Sequence, residues 1–368
     1  MAKVLLNYLG ENGSGPVFSL EMARGIAQNG HEVYAVVSSR NLNLAQWERA
    51  DFFQKLVIVD TYSSKKDYLL HYNKYTKQVG KTVQEQIGEL VFDCVVRTFP
   101  HPMLDAVERK LRIRKNVTIC HDPVPHSGEA LSARIRNRNY MKKAEYVLVL
   151  TKAFTTLVAE RYHIPIDRVY YMPHGLMGQY KEKQKKQMEE IYDPGKTNYL
   201  FFGRIEEYKG IGVLLEAYAM LEQKYEDVTL TIAGKGNLEP YRDKMENLRN
   251  LTVRNTYISE EEVGQFFDSE SVVCVIPYVD ATQSGVIPIA LEFGNPIVAT
   301  STGGLPEQLD QGRVGVFAKA GDAKDLFEKM ESLRDPRIAA DQRRKNFAFA
   351  RKLTWERVTA VLNSILEA

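Results

Sequence analysis

Tyr199-Leu200-Phe201-Phe202-Gly203-Arg204-Ile205-Glu206-Glu207-Tyr208-Lys209-Gly210 is the stretch on which the reading of this chain turns. Apolar β-formers end at Phe202, Gly203 lets the backbone turn, and a helical pattern runs from Ile211 to Lys224. Strand, tight turn and helix make the repeating unit of a parallel α/β sheet. Ligands of such sheets bind outside the carboxyl ends of the strands, where Arg204 and Lys209 fall. A rigid fork of donors and a mobile point charge a few residues apart suit a diphosphate whose charge changes during reaction. From local sequence alone, a surface pairing of these cations with Glu206 and Glu207 explains the residues equally well.

The alternation extends in both directions. Apolar runs at Val4–Tyr8, Glu32–Val37, Leu56–Val59, Cys94–Arg97, Val117–Cys120, Tyr146–Leu150 and Val169–Met172 predict one series of strands. A second series follows at Tyr199–Phe202, Val228–Ala233, Leu251–Val253, Val272–Ile276, Pro296–Ala299 and Gly315–Phe317. Nearly continuous apolar strands separated by helical patterns predict parallel sheets covered on both faces. At 368 residues the chain exceeds one ordinary core. The expected fold is α/β, with two doubly wound, Rossmann-like domains. Residues 1–173 form the first, 174–196 a linker and 197–350 the second, with a terminal helix in 351–368. The charge run Lys181–Lys186 reads as solvated, and Thr354–Leu366 as an amphipathic helix with Thr354 as its N-cap.

Composition narrows the function. A formal net charge of +2 supplies no global field for nucleic acid. No apolar run approaches the roughly 20 residues that span a bilayer. Met1–Leu6 enters a strand directly and is too short for a signal peptide. Cys94, Cys120 and Cys274 lie in apolar runs and read as reduced core thiols of a cytoplasmic protein. The sequence has no Cys/His cluster with metal spacing and no Asp-x-Asp pair that would bind a metal-chelated nucleotide.

Several loops carry candidate chemistry. Gly10-Glu11-Asn12-Gly13-Ser14-Gly15-Pro16 joins a strand to a helix start, which suits an anion or simply a tight turn. His121-Asp122-Pro123-Val124-Pro125-His126 makes a rigid loop after a strand, a common place for function. Basic residues crowd Arg109–Lys143, among them Arg134 and Arg138. That patch suits a phosphorylated acceptor or an anionic membrane surface, and equally a solvated face of two helices. Gly234-Lys235-Gly236 ends a strand and permits close approach of backbone to a ligand. Thr282-Gln283-Ser284-Gly285-Val286 opens a helix after a strand, a further anion-receptive start.

In order and spacing these segments resemble the glycosyltransferase-B superfamily, and within it the retaining sugar-nucleotide transferases of glycosyltransferase family 4. Gly203-Arg204…Lys209-Gly210, Ala233–Gly236 and Asn295–Thr300…Gly303–Glu307 carry the likeness. The resemblance implies two domains facing a cleft, with the donor nucleotide on the second and the acceptor on the first. It implies a terminal helix crossing back to the first domain. It makes Arg204 and Lys209 the clamp on the donor diphosphate and His121 a catalytic neighbour of the donor sugar. Gly13–Gly15, Gly203, Gly234–Gly236 and Thr282–Val286 become donor-binding. Asp122, His126, Arg134 and Arg138 fall on the acceptor side.

One departure stands out. The family carries a spaced pair of glutamates, and anchoring on Gly294 and Pro296 puts Ala281 and Ile289 in their places. A shifted register pairs Ser284 with Glu292 instead, and Asp280 is the carboxylate nearest to a substitute. The expected activity is transfer of a sugar from a nucleoside-diphosphate sugar to a saccharide or lipid-linked saccharide, in cell-envelope or exported polysaccharide synthesis. It would take place in the cytoplasm, in peripheral contact with the inner face of an anionic membrane, with no metal or other cofactor and no nucleic-acid partner. The alternatives are a non-catalytic partner of another transferase, and a sugar-nucleotide epimerase.

Overall fold

The computed structural model describes residues 1–124, 131–182, 192–193 and 195–368, without the side chains of Lys65, Glu182 and residues 131–134. Met1–Pro123, Glu129–Gly175 and Thr354–Ala368 form one unit, and Leu176–Leu353 form another. In the first unit the strands are β1 (Lys3–Tyr8), β2 (Glu32–Ser38), β3 (Phe53–Val59), β4 (Val91–Arg97), β5 (Arg112–Cys120), β6 (Tyr146–Val149) and β7 (Val169–Tyr171). They lie in the order β3-β2-β1-β4-β5-β6-β7, every pairing parallel. The second unit has β8 (Thr197–Phe202), β9 (Val228–Ala233), β10 (Leu251–Arg254), β11 (Val272–Ile276), β12 (Ile297–Thr300) and β13 (Val316–Ala318). Their order is β10-β9-β8-β11-β12-β13, again all parallel. Both sheets are Rossmann-like, as expected.

Helices cover each sheet on both faces, so the central strands are apolar throughout instead of alternating. Val4–Leu6, Val33, Ala35–Val37 and Val272–Ile276 are all buried. The strands β3 and β5 start before the apolar runs because most of their first residues are exposed or half-exposed, and β4 starts at Val91, ahead of the buried Phe92 and the polar Asp93. This corrects the expectation of one basic patch over Arg109–Lys143. Arg112, Arg114 and Lys115 sit at the amino end of β5, remote from the carboxyl edge. Arg114 donates to Asp93 at 3.0 Å, and the Lys115 ammonium caps the carbonyls of Ile365 and Leu366 at 2.8 and 2.9 Å.

The terminal segment is two helices, Trp355–Thr359 and Val361–Glu367, where one was expected. The Thr359 hydroxyl donates back to the Trp355 carbonyl at 2.6 Å, a local bond that competes with helix continuation. Thr354 occupies the N-cap position, but its side chain makes no capping bond. Within the first unit, Asn29 donates to the Glu356 carbonyl (2.8 Å) and to the Thr359 hydroxyl (3.0 Å). The Trp355 ring stands edge-on to Phe18, with centroids 5.0 Å apart. A Cβ at Gly25 would lie 2.5 Å from the Trp355 carbonyl oxygen, so only glycine fits that crossing.

Part of the expected linker is built into the second unit. Tyr192 is buried and its hydroxyl donates to the Phe266 carbonyl at 3.1 Å. Most of the charge run lies outside the described residues. No helix among the described residues is long and apolar enough to cross a membrane. Cys94, Cys120 and Cys274 are buried free thiols on β4, β5 and β11.

Candidate functional site

In the second sheet the strand order reverses between β8 and β11, which opens a crevice at their carboxyl ends. Four loops meet there through glycine. A Cβ at Gly234 (φ +146°) would fall 1.9 Å from the Gly203 carbonyl oxygen. One at Gly210 (φ +69°) would fall 1.9 Å from the Pro277 oxygen, and one at Gly303 (φ +52°) 1.4 Å from the Ala281 oxygen. Backbone bonds tie the same loops together: Ile205 N–H to the Lys235 carbonyl (3.0 Å) and Val279 N–H to the Tyr208 carbonyl (2.8 Å). The result is a rigid floor of main chain.

Two cations stand on this floor. The Arg204 side chain is 76% exposed, and its nearest carboxylate, Glu206, is 3.6 Å away. Such an exposed pair is worth little, so it holds the guanidinium only loosely. Lys209 is better fixed. Its ammonium donates to the Tyr278 hydroxyl at 2.6 Å and lies 4.0 Å from the centroid of that ring. Tyr278 is buried, and burial pushes its phenol far above the ordinary value. Its hydroxyl is 3.2 Å from the Ser284 hydroxyl, which accepts the Val286 N–H at 3.2 Å. Lys209 is thereby connected to the first turn of the helix Val286–Phe293.

That helix start is less open than its sequence indicates. Thr282 and Ser284 are buried, and the Ser284 N–H donates to the Gln308 side-chain oxygen at 2.7 Å. Gln308 returns a bond to the Ser284 carbonyl at 3.1 Å. The Gln283 side-chain oxygen is buried with no partner among the described residues and can accept a hydrogen bond. Gly285 lies half-buried at the N-cap, and Lys235 is exposed. The Gly236 N–H is taken by the Asn255 side chain at 3.0 Å. Ala281 and Ile289 are buried, and Glu292 lies towards the far end of its helix, beside Gly178.

In the first sheet the order reverses between β1 and β4. Cβ atoms at Gly10 and Gly15 would fall 2.4 and 2.6 Å from the Tyr8 hydroxyl, so these two glycines make room for a buried phenol. Gly13 takes φ +76° in open space, and Ser14 is exposed at the N-cap of the helix Gly15–Gln28. His121 follows β5. Its Nε2 is 2.9 Å from the Thr98 carbonyl oxygen, which fixes the proton on Nε2, and its ring stacks on Phe99 at 4.0 Å. Burial lowers its pKa, outweighing the Asp122 charge, so the imidazole is neutral. Arg138 is exposed, whereas His126 and the Arg134 side chain lie outside the described residues.

His174 shares this aromatic cluster, 5.1 Å from Phe18, with Nδ1 2.7 Å from the Gly175 carbonyl oxygen. Burial lowers its pKa from the ordinary 6.5 to about 4. The unfolded chain therefore takes up this proton at a higher pH than the folded chain does. Stability present above pH 6.5 is lost as pH falls towards 4. Urea midpoints measured across that range should fall with pH, and the fall should be shallower in His174→Gln. An identical slope in the variant would remove His174 as the cause.

Tyr8, Tyr278 and Gln308 carry no local sequence signal of a site, except that Tyr278 directly follows Pro277 at the end of a strand. His101 does carry one: it is set between Pro100 and Pro102 just after β4, in a loop of the same kind as the His121 loop.

Residues 196–335 match the family described as Glycosyl transferases group 1. A D-inositol 3-phosphate glycosyltransferase of Pseudarthrobacter chlorophenolicus is 28% identical over 251 residues, 64% of this chain and 59% of that protein. The matches span about three-fifths of the length of the first such curated relatives. Among solved structures, Anabaena HepE in complex with UDP-glucose superposes with a TM-score of 0.71 at 14% identity, covering 99% of this chain and 100% of that one. UDP-GlcNAc 2-epimerase from Neisseria meningitidis, bound to UDP-GlcNAc, superposes at 0.62 and 14%, with both chains fully covered. At these identities the likeness is one of fold. The chain thus has the glycosyltransferase-B fold, and its residues 196–335 carry the glycosyl transferases group 1 pattern.

Proposed function

We propose that this chain is a retaining glycosyltransferase of the family 4 type. It moves a sugar from a nucleoside-diphosphate sugar to a saccharide or lipid-linked saccharide acceptor, in envelope or exported polysaccharide synthesis at the inner membrane face. The observation that carries this reading is the loosely held Arg204 guanidinium and the Tyr278-seated Lys209 on one loop at the switch point of the second sheet. Breaking the glycosidic bond leaves charge on the departing diphosphate, and preorganised cations stabilise that charge in the transition state. The seated Lys209 and the looser Arg204 supply the positive charge a divalent ion would bring, so turnover should be indifferent to EDTA. The name D-inositol 3-phosphate glycosyltransferase supports glycosyl transfer, and the HepE complex with UDP-glucose supports a sugar-nucleotide donor.

The buried, apolar Ala281 and Ile289 favour a second reading, a non-catalytic partner of another transferase. Isothermal titration with UDP-, GDP- and ADP-glucose separates the two. A transferase should bind one of them with Kd in the range of about 10–1,000 µM. Binding of none would end the catalytic reading. Epimerised sugar nucleotide appearing without acceptor would replace transfer with the third alternative.

A further inference from the structure

A cavity of about 570 Å³ opens in the first unit just beyond the end of β4, on the carboxyl side of the switch point. His101, Asp105, Arg136, Asn139, Lys142 and Lys143 contribute to its lining. Its charges do not cancel. Arg97, at the base, is held by the Glu108 carboxylate through two bonds of 2.9 and 2.5 Å, so its charge is spent. Lys143 is paired with Asp105. Arg136 and Lys142 are exposed and carry no ion pair among the described residues. Two cations are therefore left facing the cavity with no countercharge.

The histidine adds a directional donor. Its Nδ1 accepts the Met103 N–H at 3.2 Å, and its ring stacks on Tyr62 with centroids 5.4 Å apart and planes 12° from parallel. A neutral imidazole that accepts at Nδ1 must carry its proton at Nε2. Burial, and then the Arg136 charge, lower its pKa to about 4, so it stays neutral around pH 7. The cavity thus offers two mobile cations and one oriented N–H, the chemistry that recognises a phosphate.

We propose that this cavity is a phosphate site that holds the phosphate of a phosphorylated acceptor, with Arg136 and Lys142 as the charge partners and His101 as the orienting donor. The word acceptor rests on the glycosyltransferase reading; the phosphate site itself does not. The phosphate of a soluble phosphorylated sugar and that of a lipid headgroup present the same chemistry here.

The test uses inorganic phosphate and the full chain carrying Arg204→Ala and Lys209→Ala, so that phosphate at the second unit's loops makes no contribution. Broadening of the phosphorus NMR line on titration reports binding. Arg136→Ala and Lys142→Ala, added singly, should each weaken it about tenfold, as loss of a hydrogen bond to a charged group does. Both side chains are exposed, so both variants should fold. His101→Phe should weaken binding and His101→Gln should retain it. Binding that is absent from the starting chain, or unchanged in both cation variants, overturns the site.

Sedimentation with phosphatidylcholine vesicles, with and without phosphatidic acid, separates the two sources. Pelleting that needs both phosphatidic acid and Arg136 points to a lipid phosphate. Phosphate binding without pelleting points to a soluble acceptor. If the native chain binds no sugar nucleotide while the Arg136-dependent site stands, the transferase reading fails and the phosphate site survives.

Discussion

Arg204→Ala and Lys209→Ala should each lower turnover of the donor by about 10²–10³-fold, the usual consequence of deleting one preorganised group that stabilises transition-state charge. That corresponds to roughly 3–4 kcal/mol of barrier. The two losses should differ in kind. Arg204 is largely exposed and holds only a 3.6 Å contact with Glu206, so its removal leaves nothing buried unpaired. The fold should be intact and the deficit confined to kcat and donor affinity. Lys209 is part of a connected set, with its ammonium on the Tyr278 hydroxyl and that hydroxyl near Ser284. Tyr278→Phe keeps the ring beneath the ammonium but removes the bond that seats it, so about a tenfold loss is expected. Measured release of nucleoside diphosphate decides the matter. Full activity in both alanine variants would remove the diphosphate clamp, and Tyr278→Phe as damaging as Lys209→Ala would make the tyrosine more than a seat. A variant that loses kcat and kcat/KM equally has lost an interaction made only in the transition state.

What could be read in advance follows from where each signal resides. Val272–Ile276 was legible because a strand covered on both faces must be apolar along its whole length, and Val228–Ala233 because its apolar and β-branched residues favour a strand. Arg112–Lys115 was illegible as strand because its residues are exposed or half-exposed at the open end of the sheet, where hydropathy carries no message. Arg204 could be found because a charged residue just beyond a buried strand is a local pattern. The seat of Lys209 could not, since Tyr278 comes from a loop 69 residues away. Gln308 closing on Ser284 is of the same kind, a tertiary contact between polar residues of two loops. The cavity beside β4 was hidden for a related reason. Arg136 and Lys142 appeared in one run with Arg112 and Arg114, and only the direction of β5, with Arg112 and Arg114 at its amino end, separates the two groups.

The glycines of the second unit lead to the other large effect. Gly234→Ala should destabilise that unit by more than about 4 kcal/mol, or prevent it from accumulating folded, because two costs coincide. At φ +146° a side chain is strained, worth about 1–3 kcal/mol. The new methyl would also stand 1.9 Å from the Gly203 carbonyl oxygen, and neither partner can retreat. Gly203 N–H is bonded to the Ala233 carbonyl at 2.9 Å, and Gly234 N–H to the Arg254 carbonyl at 3.0 Å. Both anchors belong to the parallel ladder, so relief means pulling apart the ends of β8 and β9. Gly321→Ala is the matched control. Its φ of +78° carries conformational strain, but nothing lies within 4 Å of the added carbon. It should cost only about 1 kcal/mol, the strain without the collision. Urea unfolding of the two variants separates these terms. A Gly234→Ala chain no less stable than Gly321→Ala would mean that the loops beneath Arg204 yield, and that the floor of the site is not the rigid element its main-chain contacts describe. If the floor is rigid, a partly folded Gly234→Ala chain should also lose donor binding, because Arg204 directly follows the carbonyl that the methyl displaces.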